Sequence, residues 1–371
     1  MITKVLIDNF KSLNAFELSC QRLTCLIGVN SSGKSAILQS IDFLSAIALG
    51  NVTDWLKARD WKAGDIRSRL RGRARLTIPF RLEFRIRGMQ YYWSGLFNTN
   101  SLSCSSELVI NTSRKDSPLL RLEKGQYRME SPARSVDFDY EGSILASLKE
   151  DILSDELREI RRFLRSIKSL ELLNPLLLRK RARTTEDDLG LGGERLSAFL
   201  YSLSAERRKR IYGQMRHLFE SLSSYSIRSK RSGWKELRIL EQFGESPVET
   251  EARHISDGFL RILAIFSQLQ TDHSVLLFDE IEDGLNHEVM EYLVDEILKS
   301  SQQVFFTTHS PMILNFMEDR TAEESVMLIY RDADSGETKA CRFFDIRQIK
   351  EKLEYMGPGE VFANVDLGDL P

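Results

Sequence analysis

Few features of this sequence point to a metal-stapled, secreted or membrane-embedded chain. Its four cysteines, Cys20, Cys25, Cys104 and Cys341, form no CxxC pair and have no histidines at metal-ligand spacing, which argues against a zinc site or a disulfide framework. No apolar run reaches about 18 residues, the length a spanning helix needs. The opening MITKVLIDNFKSL alternates and then turns polar, where a leader would be basic and then continuously apolar. A cytoplasmic protein with reduced thiols and no membrane partner is expected. Net charge is scarce too: 52 Lys+Arg against 54 Asp+Glu leave −2, which argues against a wholesale polybasic binder. What remains is an ordinary globular composition, 42% hydrophobic and 29% charged. At about 150 residues per domain, 371 residues suit two lobes, or one α/β domain with an insertion.

Local patterns predict an interrupted α/β core. VLIDNF, FELSC and RLTCLIG read as short strands, the last ending at Gly28, and SAILQSIDFLSAIALG has apolar residues at helical spacing up to Gly50. Phe80, Leu82, Phe84 and Ile86 alternate with Arg81, Glu83, Arg85 and Arg87, the pattern of a half-buried antiparallel strand, with QYYWSGLF as its hairpin mate. From about 143 to 223 the text becomes helical and dense in Arg and Lys, as in SDELREIRRFLRSIKSLELL and SAERRKRIYGQMRHLFESL, broken by a glycine-rich loop, TTEDDLGLGGERL. Then GFLRILAIFSQLQ reads as a helix, SVLLFDE as a buried strand, HEVMEYLVDEILKS as a helix and QQVFFTTHS as another strand. The tail, EKLEYMGPGEVFANVDLGDLP, reads as a turn followed by an extended segment.

The glycine turn carries the strongest chemical signal. Gly28, Val29, Asn30, Ser31, Ser32, Gly33, Lys34 and Ser35 match GxxxxGK[ST] between a predicted strand and helix, with Ala36 following. Backbone N–H groups in such a turn converge on phosphates, the lysine bridges the β and γ oxygens, and the Ser35 hydroxyl suits Mg²⁺. The strand SVLLFDE ends in Asp279 and Glu280, which point to opposite sides and so divide two roles. Asp279 is assigned to the Mg²⁺ shell, and Glu280 to orienting and deprotonating the attacking water. His309 ends the next apolar strand, where open α/β sheets bind ligands, and is the candidate γ-phosphate sensor.

Five segments together carry a family resemblance: IDNFKSL (Ile7 to Leu13), GVNSSGKS (Gly28 to Ser35), HISDGFLRILAI (His254 to Ile265), LLFDEIEDGLN (Leu276 to Asn286) and TTHSP (Thr307 to Pro311). In this order the chain resembles a RecF/SMC-type ATPase of the ABC class, and more narrowly the bacterial stand-alone AAA-type ATPases related to the OLD family. The resemblance implies an α/β fold: an ABC-class P-loop ATPase head, a mixed sheet with an antiparallel β subdomain, interrupted by a helical insertion. It implies ATP and Mg²⁺ as cofactors, and two heads closing around nucleotide. Ser256, Asp257 and Gly258 would then contact the γ-phosphate held by the opposite subunit, with Asn286 in the crossing D-loop and Lys11 and Ser12 near the base. Asp257 stands where transporter subunits have glycine, which favours the RecF/SMC branch. The sequence does not place the family's Q-loop glutamine, since Gln39 sits inside the first helix and Gln90 lies in the hairpin. No TOPRIM-type acidic set follows His309, so any nuclease is expected on another chain.

The expected division is residues 1–142 as the N-terminal part of the head, 143–235 as the helical insertion and 236–371 as the C-terminal part. The expected function is an ATP-hydrolysing switch that dimerises around ATP and controls a separate nuclease or toxin effector in anti-phage defence. Two rivals stay open: a RecF-like repair ATPase that binds DNA or RNA directly, and an ATP sensor without turnover. Two basic segments bear on the first rival. One is Arg67, Arg69, Arg71, Arg73 and Arg75; the other is Arg179, Lys180, Arg181 and Arg183. Each reads equally as a phosphate-tracking patch and as a solvated face.

Overall fold

Period-two apolar patterning decides which face of each strand is buried, and the result is a head built in layers around the first long helix. The computed structural model describes residues 1–70, 72, 75–113, 118–129, 132–171, 173–183 and 188–367. Among them, an eight-stranded antiparallel sheet runs in the order Phe16–Ser19, Ile2–Ile7, Thr77–Ile86, Met89–Asn98, Ser103–Asn111, Leu120–Glu123, Gln126–Arg128, Arg134–Ser135. Strand Thr77–Ile86 buries Ile78, Phe80, Leu82 and Phe84 on one face and pairs along its whole length with Met89–Asn98. Arg87 and Gly88 both take positive φ, 47° and 82°, the tight hairpin turn that suits the twist of the two strands.

The second sheet has six strands in the order Ile167–Ser169, Val275–Phe278, Gln303–Thr307, Leu23–Ile27, Val326–Arg331, Thr338–Arg342. The first five are parallel and the last is antiparallel. Helix Lys34–Leu49 lies between the two sheets and buries 11 of its 16 residues. It ends at Gly50, left-handed at φ 71°, whose N–H bonds back to Ala46 and Ile47. Leu26, Val275, Leu277 and Phe305 face this helix. Their neighbours Cys25, Ile27, Leu276, Phe278 and Phe306 face the opposite layer, where helices Asp257–Leu269 and His287–Lys299 pack. Strands buried on both faces explain why VLLF and VFF read as continuous apolar runs.

The segment 143–235 differs from the all-helical expectation. SDELREIRRFLRSIKS stops being helical at Arg165, and Ile167–Ser169 joins the six-stranded sheet beside Val275–Phe278. The amide of Ser274 bonds the Ser166 carbonyl at 3.1 Å, and that of Leu170 bonds Leu277 at 2.8 Å. Pairing with a buried sheet edge overrides local helix propensity here. Helix Ala205–Leu218 forms where expected, capped by Ser204. A third sheet, Leu222–Ser229, Lys235–Phe243 and Ser246–Glu251, follows it across the expected boundary at 235. The tail also departs from expectation. It forms helices Arg347–Leu353 and Pro358–Ala363, the second docked so closely that a Cβ on Gly359 would stand 2.2 Å from the Pro311 carbonyl oxygen. Proline at the first helical position and glycine at a close approach read as a turn in sequence, yet here they begin a packed helix. Cys20, Cys25 and Cys104 are buried free thiols and Cys341 is half-buried. No helix among the described residues is long and apolar enough to cross a membrane.

Candidate active site

Strand Leu23–Ile27 is buried throughout and delivers the glycine turn to the carboxyl edge of the parallel sheet. Gly28 and Gly33 have φ 150° and 111°, and Ser31 is left-handed at 63°. Glycine is required at both ends for steric reasons. A Cβ on Gly28 would stand 2.1 Å from the Ile329 carbonyl oxygen, and one on Gly33 2.1 Å from the Thr338 hydroxyl. That hydroxyl donates to the Ser32 carbonyl at 2.9 Å and lies 2.7 Å from the Ser12 hydroxyl. The Lys34 ammonium is folded onto its own loop, donating to the carbonyls of Gly28 (2.9 Å) and Val29 (3.0 Å). Burial holds its pKa below the usual lysine value, against the opposing pull of Asp279, Glu280 and Glu282.

The two carboxylates are fixed from the next strand. Thr307 donates its hydroxyl to Asp279 at 2.5 Å and accepts the Glu280 amide at 2.7 Å. Glu280 is left-handed at φ 46°, a conformation costly for a residue with a side chain. Arg261 of helix Asp257–Leu269 clamps it from behind, bonding the carbonyls of Glu280 (2.8 Å) and Asp279 (3.3 Å) and the Asp283 carboxylate (2.9 Å). The His309 amide donates to Glu282 at 2.6 Å.

Lys11, Ser12, Asn30, Ser31, Gly33, Lys34, Ser35, Ala36, Asp279, Glu280 and His309 thus line one open cleft of about 720 Å³. Ser256, Asp257, Gly258 and Asn286 do not line it. They cluster elsewhere: a Cβ on Gly258 would stand 2.5 Å from the Gly284 carbonyl, so the signature and the DGLN turn touch. Ser256 caps its helix through the Phe259 amide (3.4 Å), and Asn286 caps His287–Lys299 through the Val289 amide (3.0 Å).

The cleft also holds residues that sequence reasoning left out. Of the alternating arginines, Arg67 and Arg69 line the cleft and Arg75 forks onto Asp8 at 2.8 and 3.0 Å, while Arg71 and Arg73 lie outside the described residues. Arg75 is thus engaged by an acid, while Arg67 and Arg69 open onto the cleft. Lys11 sits 3.5 Å over the Trp61 ring and donates to Gln39 at 2.5 Å, so Gln39 joins the site from inside the helix. Burial brings the Lys11 pKa down to about 8. Arg331 donates to the Ser31 carbonyl at 2.9 Å. Thr307 opens the TTHSP motif, which the sequence reading used only for His309, while Thr338, inside the GETK turn, matches no motif.

Behind Lys11, Arg59 bridges Asp42 (2.6 Å) and Glu171 (2.8 Å), all nearly buried. Burial pushes Glu171 from an ordinary 4.5 to about 7, with Arg59 pulling down and Asp42 and Asp279 adding upward pressure. A raised carboxyl binds its proton more tightly folded than unfolded, so stability is fully present at acid pH and declines as pH rises from about 4.5 to about 7. Glu171→Gln is expected to flatten that part of a denaturant-midpoint versus pH curve. An unchanged slope would remove Glu171 as its source.

A hydroxyl and a carboxylate oxygen suit a hard cation. Both donors, the Ser35 hydroxyl and the Asp279 carboxylate, line the same cleft, and two such oxygen donors leave room in an octahedral shell for phosphate and water oxygens. That is the Mg²⁺ pattern, and Ser35 and Asp279 fit it.

Residues 23–315 match the family described as "AAA domain, putative AbiEii toxin, Type IV TA system". The chain belongs to this family. Among solved structures, this AAA-domain chain is similar to an SmcHead bound to the C-winged helix domain of ScpA, at TM-score 0.58 and 14% identity over 93% of this chain and 99% of that one. It is also similar to an Smc head with an extended coiled coil bound to the C-terminal domain of ScpA derived from Pyrococcus furiosus, at TM-score 0.54 and 14% identity over 95% and 99%. The fold is that of an SMC head. No curated protein matches the sequence. Arg331 and Thr338, which brace the phosphate loop of this AAA domain, lie beyond the matched span.

Proposed function

We propose that the protein is an ATP-hydrolysing switch: two copies close head to head on two ATP·Mg²⁺, each nucleotide held between one copy's Gly28 to Ser35 loop and the other's Ser256 to Gly258. The observation that carries this reading is the division of the site residues into two clusters. The phosphate loop, Asp279, Glu280 and His309 share one cleft, whereas Ser256, Gly258 and Asn286 form a separate group joined at Gly284. Half of a composite site displays such a division, and only a second copy would reunite the parts.

Within the cleft, Lys34 would leave its loop carbonyls for phosphate oxygens, a charge-assisted exchange. Mg²⁺ held by Ser35 and Asp279 would neutralise phosphate charge. Glu280 would take the proton of the attacking water, its backbone held at one angle by Thr307 and Arg261, and His309 would meet the γ-phosphate. Hydrolysis reopens the pair. The output we assign is control of a separate nuclease or toxin effector in anti-phage defence. Two likenesses support this: the matched family is described by a toxin–antitoxin system, and the similar SMC heads are each bound to another protein.

The test is the solution mass of Glu280→Gln with and without ATP·Mg²⁺. A doubling on ATP, prevented by Ser256→Arg, is expected. A mass indifferent to ATP, or a doubling that survives Ser256→Arg, would sink the shared-site reading.

A further inference from the structure

The basic cluster at Arg179 to Arg183 plays no part in the nucleotide cleft, and the fold gives it a setting of its own. Residues 180–183 run beside the start of strand Lys235–Phe243, with the Lys235 amide donating to the Ala182 carbonyl at 2.8 Å and the Ala182 amide donating back at 3.3 Å. A tight turn follows strand Leu222–Ser229, closed by the Lys230 amide on the Trp234 carbonyl at 2.7 Å, with Ser232 and Gly233 at φ 65° and 82°. It lays Gly233 against Arg183, whose Cγ is 3.8 Å from where a Cβ would stand. Two adjoining hollows of about 730 Å³ each result, sharing Lys180, Arg181 and Trp234.

Two properties of this groove point to its occupant. Trp234 is 43% exposed and stacks on no other ring among the described residues. An indole left in water is a standing cost of apolar exposure that a planar ligand would relieve. Charge is the second property. Arg181 pairs with Glu236 and Glu251, and Lys230 with Glu236, whereas Lys180, Arg183 and Arg231 have no acidic partner among the described residues. Cations with no acidic partner among the described residues, set around an indole that meets no other described ring, form a channel for phosphates with a platform for a base. A duplex hides its base faces, and an acidic peptide has no need of the indole. We infer that this groove binds single-stranded nucleic acid, with a base stacked on Trp234 and Lys180, Arg183 and Arg231 on the phosphates.

The groove is also wired to the signature. Arg179, on its wall, donates to the Ile255 carbonyl at 2.7 Å and pairs with the Asp257 carboxylate. A strand that draws Arg179 onto a phosphate releases Asp257 at the start of the signature helix. The consequence for ATP turnover rests on the shared-site reading proposed above; binding itself does not.

The test titrates the whole protein, without nucleotide, into a fluorescein-labelled oligothymidine and follows anisotropy, in the Lys34→Ala background as well. Expected are saturable binding that weakens with salt, a loss of about 5- to 100-fold in Trp234→Ala with most affinity kept by Trp234→Phe, and a salt slope shallower by about 0.7 in Arg183→Gln. Thermal unfolding midpoints matching the wild type verify that the variants fold. Absence of binding at low salt would overturn the inference. So would equal competition by duplex DNA or polyglutamate together with an unaffected Trp234→Ala, which would make the groove a generic anion or acidic-peptide surface. If the oligonucleotide binds but leaves ATP turnover unchanged in the wild type, the link through Arg179 falls while the binding site stands.

Discussion

Lys34→Ala is expected to abolish measurable ATP binding, a loss on the order of 100-fold or more in Kd for removing a charged hydrogen-bonding partner of the phosphates. The side chain is 94% shielded, since Lys34 retains only 6% of its exposure, and its ammonium already has two neutral acceptors, the Gly28 and Val29 carbonyls. Binding exchanges these for anionic oxygens, and bonds between ionised groups are roughly twice as strong as neutral ones. Alanine forfeits that exchange and also leaves the loop carbonyls without their cation. The second loss is a matter of stability, about 1 kcal/mol per net hydrogen bond, and appears in thermal unfolding without nucleotide. Titration calorimetry separates the two. An ATP affinity within tenfold of wild type would take Lys34 out of the phosphate site.

Glu280 gives the second large effect. Glu280→Gln is expected to bind ATP normally and to slow hydrolysis by about two orders of magnitude or more, the usual contribution of a positioned general base. The backbone makes a further distinction possible. Glu280 sits at φ 46°, held there by Thr307 on its amide and Arg261 on its carbonyl. Non-glycine residues in that region cost about 1 kcal/mol or more, so Glu280→Gly should unfold at a higher denaturant midpoint than wild type while losing turnover. A gain in stability with a loss of rate is what a strained functional residue produces. Phosphate release by Glu280→Gln at the wild-type rate would remove the residue from the mechanism, and a wild type without phosphate release would revive the sensor rival.

How much of this was legible depended on whether the signal was local. The phosphate turn and both flanking elements could be read because strand, glycines and helix are contiguous, and the hairpin of Thr77–Ile86 because alternation is its own signature. Ile167–Ser169 could not, since three residues carry no period and only the edge offered by Val275–Phe278 makes them a strand. Arg67 and Arg69 read as part of a charge run until the pairing of Phe10 with Arg67 brought them beside Lys11. Thr307 stood inside TTHSP without a role until its contacts with Asp279 and Glu280 gave it one, and Thr338 is an ordinary residue whose importance comes from what it touches. The tail misled because Gly-Pro-Gly has the same text in a loop as at a docked helix start.

The brace at Thr338 bears on how the molecule comes to be active. The phosphate loop is shaped by contacts spanning 326 positions between Ser12 and Thr338 and 306 between Ser32 and Thr338, and Gln303 ties its strand to Ile2 at 2.8 Å and Gln21 at 2.7 Å. Closing loops of that length is slow relative to local helix formation. The shape of the loop therefore depends on strand Thr338–Arg342 having paired with Val326–Arg331, and a chain cut short of Thr338 lacks the hydroxyl that braces it from the far end of the sequence.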